Sequence, residues 1–254
     1  MSSFATFLGK ESCEIARTWR IWVLPGMLLF FSLTSPILAL LTPSLVSSLA
    51  GTKSGVVIRL PEPVATDAYQ QCLKDMNQII LVAIVIAAAG CVSGERRSGT
   101  AMLVLTKPLS RASFLLAKIL AQQALVVLST VVGAGLCAAL TTLLFGSSPI
   151  APFLLAVLLW LVLAFLLIVV MTLLSVLFSS QGGACGIGLG VYFLIQLLGL
   201  WTPATDFTPA GLVPAGARLL AGDAPAVLWP VTTAVLLAIV LGLLAVLVFQ
   251  RKDL

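Results

Sequence analysis

Histidine is absent from this chain, and only 9% of its 254 residues are charged. The first absence excludes a Ser–His dyad and any His-based zinc site. The second excludes a water-facing globule, because a soluble domain carries roughly 25% charged residues to cover its surface. No polar stretch is long enough for a separate soluble domain with its own core. No GxxxxGK[ST] run occurs, so the chain does not itself look like an ATPase and is read as no enzyme on its own. The five cysteines (Cys13, Cys72, Cys91, Cys137, Cys185) form no CxxC pair or other metal spacing, and no metal or cofactor is expected in the chain. Only Cys72 falls in an expected external loop, which leaves an intrachain disulfide there without a partner. A cleavable signal peptide, with its short basic region and brief apolar core, is not evident either.

What is present is apolar: 60% of the residues are hydrophobic. A helix needs roughly 20 apolar residues to cross about 30 Å of hydrocarbon. Six runs qualify or nearly do, at approximately 21–41, 77–92, 114–145, 152–178, 184–201 and 227–249. The expected fold is an all-α integral membrane protein with six transmembrane helices forming one domain. The Ser35-Pro36 step removes a backbone donor and predicts a kink in the first run. The six runs hold no ionisable residue in their apolar centres, which argues against a proton-driven carrier.

Orientation follows from the basic residues between runs. Lys10, Arg17, Arg20, Arg96, Arg97, Lys107, Arg111, Lys118, Arg251 and Lys252 fall on one side, ten of the fourteen in the chain. Lys53, Arg59, Lys74 and Arg218 fall on the other, diluted by Glu62, Asp67, Asp75, Asp206 and Asp223. The richer side is read as cytosol, which puts both termini inside a cell membrane. Although the net charge is +5, the basic residues sit between apolar runs and form no nucleic-acid footprint.

Residues 1–20 project as an amphipathic interfacial helix. Phe4, Phe7, Leu8, Ile15, Trp19 and Trp22 share one stripe, with Lys10, Arg17 and Arg20 opposite. Glu11 breaks the apolar stripe: either it snorkels at the edge, or it meets a polar partner on another helix or subunit. Gly182, Gly186 and Gly190, spaced four apart, predict close helix packing against either another span or a second copy. The segment 202–226, broken by Pro203, Pro209, Pro214 and Pro225, is too interrupted to span and reads as a re-entrant or surface-lying external element.

The loop 93–113 carries the densest signal. Gly99 offers a turn, Thr100 can cap a short helix over Ala101–Thr106, and Pro108 ends it at Lys107. Ser110 can cap the third span. Glu95-Arg96-Arg97-Ser98-Gly99-Thr100, then Leu105-Thr106-Lys107-Pro108-Leu109-Ser110-Arg111 and Lys118, resembles the signature of ABC-2-type permeases, a pattern of E-R-x-x-G-T followed by T-K-P-x-S-R and a later Lys. Lys10-Glu11 and the terminal Phe249-Gln250-Arg251-Lys252-Asp253-Leu254 resemble further features of that family, nearest to its short NosY-like and bacitracin- or sodium-export members. The resemblance implies a six-span half-transporter that pairs with a second permease half, as a homodimer, and with two separate ATPase subunits that bind ATP and Mg. It further implies that residues 93–113 (Glu95, Arg96, Arg97, Gly99, Thr100, Lys107, Pro108, Ser110, Arg111) form the ATPase-coupling element. Lys10, Glu11 and Arg17 would then lie on the elbow helix.

The leading expectation is ATP-driven export of a hydrophobic or amphipathic small molecule by alternating access, although Asn77, Gln78, Gln122, Gln123 and Gln196 could line a polar path. The alternatives are an energy-coupled assembly factor for an extracytoplasmic metalloprotein and, less in keeping with uncharged spans, a secondary carrier.

Overall fold

The computed structural model describes residues 3–51, 62–97 and 110–251. Every regular element among them is helical. Six helical stretches are long and apolar enough to cross a membrane: Arg20–Val46, Ala65–Arg97, Arg111–Phe145, Ile150–Leu177, Gln181–Leu198 and Leu228–Arg251, here the first to sixth spans. The chain is an all-α integral membrane protein. Lipid tails are as apolar as leucine, so hydrophobicity alone does not assemble such helices; close packing and polar satisfaction do.

The fourth span is the hub. Two-thirds of its apolar window, 67%, is buried, against 17% for each of the fifth and sixth. It packs against the second, third, fifth and sixth spans and against the short helix Leu212–Leu220. The first span lies outside the second and third, and its helix runs through Pro25, Pro36 and Pro43 without interruption. Between the third and fourth spans the chain turns at Gly146, whose φ of 77° suits a residue without Cβ at a helix C-terminus.

The second span departs most from the sequence reading. Its helix starts at Ala65, twelve positions before the expected 77. Asp67, Lys74 and Asp75, expected in an external loop, therefore belong to the helix. So does Cys72, which is buried there and meets Cys137 of the third span. A local hydropathy window reads this stretch as polar, but its buried face (Ala65, Ala68, Tyr69, Cys72, Leu73) is closed off by neighbouring helices. Tyr69 stacks on Phe153 at 4.2 Å and donates its hydroxyl proton to Ser148 at 2.8 Å.

Two breaks interrupt the second span, and each is satisfied by a side chain from elsewhere, as backbone at membrane depth requires. At Met76–Ile80 the helix widens into a π turn. The Tyr192 hydroxyl of the fifth span donates to the carbonyls of Asn77 (2.8 Å) and Gln78 (3.3 Å), and the Gln196 amide donates to Asn77 at 3.2 Å. After Ala88 the helix turns and restarts at Ser93–Arg97. There the Ser175 hydroxyl of the fourth span accepts from the Val92 and Ser93 amides, both at 3.0 Å.

The proline-rich segment does not span. It forms a short helix Thr202–Thr205, a 3-10 turn Pro209–Gly211 and the amphipathic helix Leu212–Leu220. Leu212–Leu220 lies on the fourth span through Gly216, where an added Cβ would come within 3.3 Å of both Ala156 and Leu73.

Candidate functional site

The N-terminal helix, Ser3–Ala16, buries its apolar stripe against the base of the third span. Phe7 stacks on Phe114 at 5.4 Å, and Phe114 stacks on Phe249 of the sixth span at 5.6 Å. This aromatic column brings the first helix, the third span and the end of the sixth span to one end of the bundle. The restart helix Ser93–Arg97 reaches the same end.

Beside the column lies an ion network. Lys118 Nζ donates to Glu95 Oε1 at 2.7 Å and to Glu11 Oε2 at 2.9 Å. Lys10 Nζ meets Glu14 at 2.5 Å, Glu11 at 3.1 Å and Glu95 at 3.4 Å. The inner members are enclosed, with side-chain exposures of 5% for Lys118, 6% for Glu11 and 10% for Glu95; Lys10 and Glu14 at 43% and 45% form its wet edge. The two ammonium groups also sit over aromatic faces, Lys118 over Phe114 at 5.0 Å and Lys10 over Phe7 at 5.4 Å. Glu11, Glu14 and Glu95 place carboxylate oxygens within 4.8 Å of one another, a spacing that a cation can bridge. The chain supplies its own cations there, Lys10 and Lys118.

The outer pair is electrostatically tuned. Burial works against the Lys10 ammonium, but its hydrogen bond to Glu14 and the charges of Glu95 and Glu11 outweigh that and raise its pKa well above the usual lysine value. Burial likewise opposes ionisation of Glu14, and the Lys10 hydrogen bond and charge overcome it, holding the carboxyl below its ordinary 4.5.

The residues singled out in the sequence divide as follows. Lys10, Glu11 and Glu95 come together, so Glu11 has the polar partner that one reading of its misplaced charge required. Arg111 joins the sixth span: its guanidinium donates to the carbonyls of Phe249 (2.7 Å) and Gln250 (3.0 Å) and stands over the Phe249 ring at 5.8 Å. Ser110 caps the third span, accepting from the Ser113 amide at 3.0 Å. Arg96 reaches the Val176 carbonyl at 3.4 Å. Arg97 and Arg17 are exposed. Gly99, Thr100, Lys107 and Pro108, with the short helix expected over Ala101–Thr106, lie outside the described residues.

The glycine expectation needs correcting within the chain. Gly182, Gly186 and Gly190 are exposed, and an added Cβ on any of them would meet nothing within 4 Å. The close approach is at Gly188, on the opposite side of the helix, against Met171 of the fourth span and Val85 of the second.

Lys118, the later Lys of the loop pattern, is the group on which the inner carboxylates converge. Its signal was an ammonium inside an apolar run, which must find a counter-charge. The polar candidates also sort themselves. Asn77, Gln78 and Gln196 share a cleft of about 530 Å³ with Gln70, Lys74 and Pro214, whereas Gln122 and Gln123 stand apart on the third span.

The chain is similar to the "Uncharacterized transmembrane protein YxlG" of Bacillus subtilis (strain 168), 25% identical over 261 residues that cover 100% of this chain and 99% of that protein. Residues 36–254, from within the first span onward, match the family described as "Protein of unknown function (DUF2705)". Six apolar spans, a full-length transmembrane relative and a match over most of its length place this chain in the DUF2705 family.

Proposed function

We propose that this transmembrane protein is the permease subunit of an ATP-driven ABC transporter, working as one half of a homodimer with two separate ATPase subunits that carry ATP and Mg. The end bearing the ion network faces the cytosol of a cell membrane, and the chain performs no hydrolysis itself. The exported molecule is hydrophobic or amphipathic.

One observation carries this reading. The residues in which the chain resembles ABC-2-type permeases are scattered in sequence, yet several of those described gather at one end of the bundle. Glu95 and Lys10-Glu11 meet at Lys118, and Arg111 holds Phe249-Gln250. A loop that only obeyed a charge rule for orientation would not need its glutamate buried between two lysines from other elements. Glu95 acts from inside, fixing the root of the 93–113 loop to the N-terminal helix and the third span. A push delivered to that loop is then transmitted to both as a rigid body.

Affinity purification of tagged chain from its native membrane tests this reading. An ATP-binding-cassette subunit should copurify, with ATP hydrolysis that responds to added hydrophobic compounds. Recovery of intact, folded chain with no such subunit would overturn the assignment.

A further inference from the structure

Among the described residues, Asp75 is the one acidic side chain buried in the opposite half of the bundle, 8% exposed and inside the second span. Its carboxyl has two partners. The Gln71 amide donates to Oδ1 at 3.1 Å, and Ser35 Oγ of the first span lies 3.1 Å from Oδ2. No ammonium or guanidinium among the described residues forms an ion pair with it. The other titratable groups at this corner are the Cys72 thiol one turn back, the Cys137 thiol of the third span that meets it, and Lys74, next in the chain and exposed.

The hydrogen count at Ser35 bears on the charge of this carboxyl. Ser35 Oγ stands 2.6 Å from the Phe31 carbonyl oxygen. Two acceptor oxygens that close repel unless a proton lies between them, and the only proton available is the serine's own. With that proton drawn chiefly to Phe31 by the shorter contact, Ser35 Oγ has mainly lone pairs to offer Asp75. Shared with an ionised Oδ2 at 3.1 Å, the serine proton would make only a weak second bond, whereas a proton on Oδ2 would give this contact a full hydrogen bond of its own. The amide of Gln71 fits the other half of a neutral carboxylic acid, donating to the oxygen that has none.

We infer that Asp75 is a proton-binding site, whose bound proton bridges Oδ2 to Ser35 Oγ and so joins the second span to the first. Release of the proton leaves a carboxylate that must draw the Ser35 hydroxyl away from the Phe31 carbonyl, changing the hydrogen bonds at the Ser35-Pro36 step. Pro36 already leaves the helix one donor short there. Gln71 connects the site to the outside: it lines the cleft shared with Asn77 and Gln196 and a second one formed by Leu38, Thr42 and Pro43 of the first span. This site is independent of whether an ATPase drives the protein.

Infrared difference spectroscopy on the full chain in detergent tests the inference without any transport assay. At neutral pH the wild-type protein should show the carbonyl stretch of a protonated, buried carboxylic acid that D75N lacks, and the band should vanish reversibly on alkalinisation. Asparagine has the same donor-and-acceptor face as the protonated acid, so D75N should melt with the wild-type protein. S35A supplies a second readout that does not depend on D75N folding: removing the acceptor should move the band to higher frequency. Identical wild-type and D75N spectra in the carboxylic-acid region would overturn the inference, as would a band unmoved in S35A. A carboxylate signal at neutral pH that responds to sodium or potassium would overturn it too, by assigning a metal cation in place of the proton.

Discussion

Lys118 lies about two turns inside an apolar helix, and a charge there persists only because two carboxylates surround it. Removing one partner of such a buried group costs about 3–5 kcal/mol, since the remaining charges stay desolvated. Lys118→Met should therefore lower stability by about that much in detergent melts. The triple variant Lys118→Met/Glu11→Gln/Glu95→Gln should be less destabilised than the single one, because no enclosed charge is left stranded. Glu14→Ala, at the wet edge, should cost only about 0–1 kcal/mol. The same pair sets a pH window. Glu14 is held below its ordinary 4.5, so its contribution is present above that value and is lost as pH falls through the depressed one. Lys10 is raised, so its contribution is complete below 10.5 and is lost only as pH rises through the higher value. Docking of the N-terminal helix should be flat between these limits and loosen on acidification. A spin label on the exposed Cys13, in a chain lacking the other cysteines, should report this as increased mobility below pH 4.5, and the acid limb should be blunted in Glu14→Gln.

At the scale of elements, the second span is the one whose shape depends on others. Ser175→Ala strips the acceptor from two buried amides and should cost about 1–3 kcal/mol, read as a lower melting temperature with no change in insertion. Gly188→Leu should destabilise the fold, because a Cβ there meets Met171 and Val85. Gly186→Leu should leave the melt of the isolated chain unchanged, and a loss of oligomer in that variant alone would assign the exposed glycine face to a second copy. Most of this architecture is legible in sequence, since runs of apolar residues report length directly. Glu11 was legible too, as a charge at odds with the pattern around it. The start of the second span was not: Asp67, Gln70, Gln71, Lys74 and Asp75 look like a loop until Tyr69 and Leu73 are seen packed against the fourth span and the helix Leu212–Leu220. Nor were the breaks at Met76–Ile80 and after Ala88, whose stability comes from Tyr192, Gln196 and Ser175, each far away in sequence. The glycine spacing pointed to a face of the fifth span but not to its neighbour, because spacing alone carries no information about what lies opposite.

For the whole molecule, the proposed orientation puts the ion network in the cytosol. In a cysteine-free background, a cysteine at position 60 should react with an impermeant reagent added to intact cells, and one at position 98 only after the membrane is opened. Reaction at 98 from outside would invert the assignment. The Phe7–Phe114–Phe249 column has a consequence for how the chain is made. Phe7 is synthesised early and can lie on the membrane surface at once, but its seat forms only when Phe114 emerges at the base of the third span, and Phe249 later backs Phe114 from the sixth span while Arg111 captures the carbonyls beside it. Until the third span is made, the amphipathic helix and the Glu11 carboxylate stay exposed at the surface, because Lys118 arrives with that span. A chain interrupted before the third span would therefore keep its N-terminal helix undocked, whereas one interrupted after it could already dock that helix on a Phe114 not yet backed by Phe249.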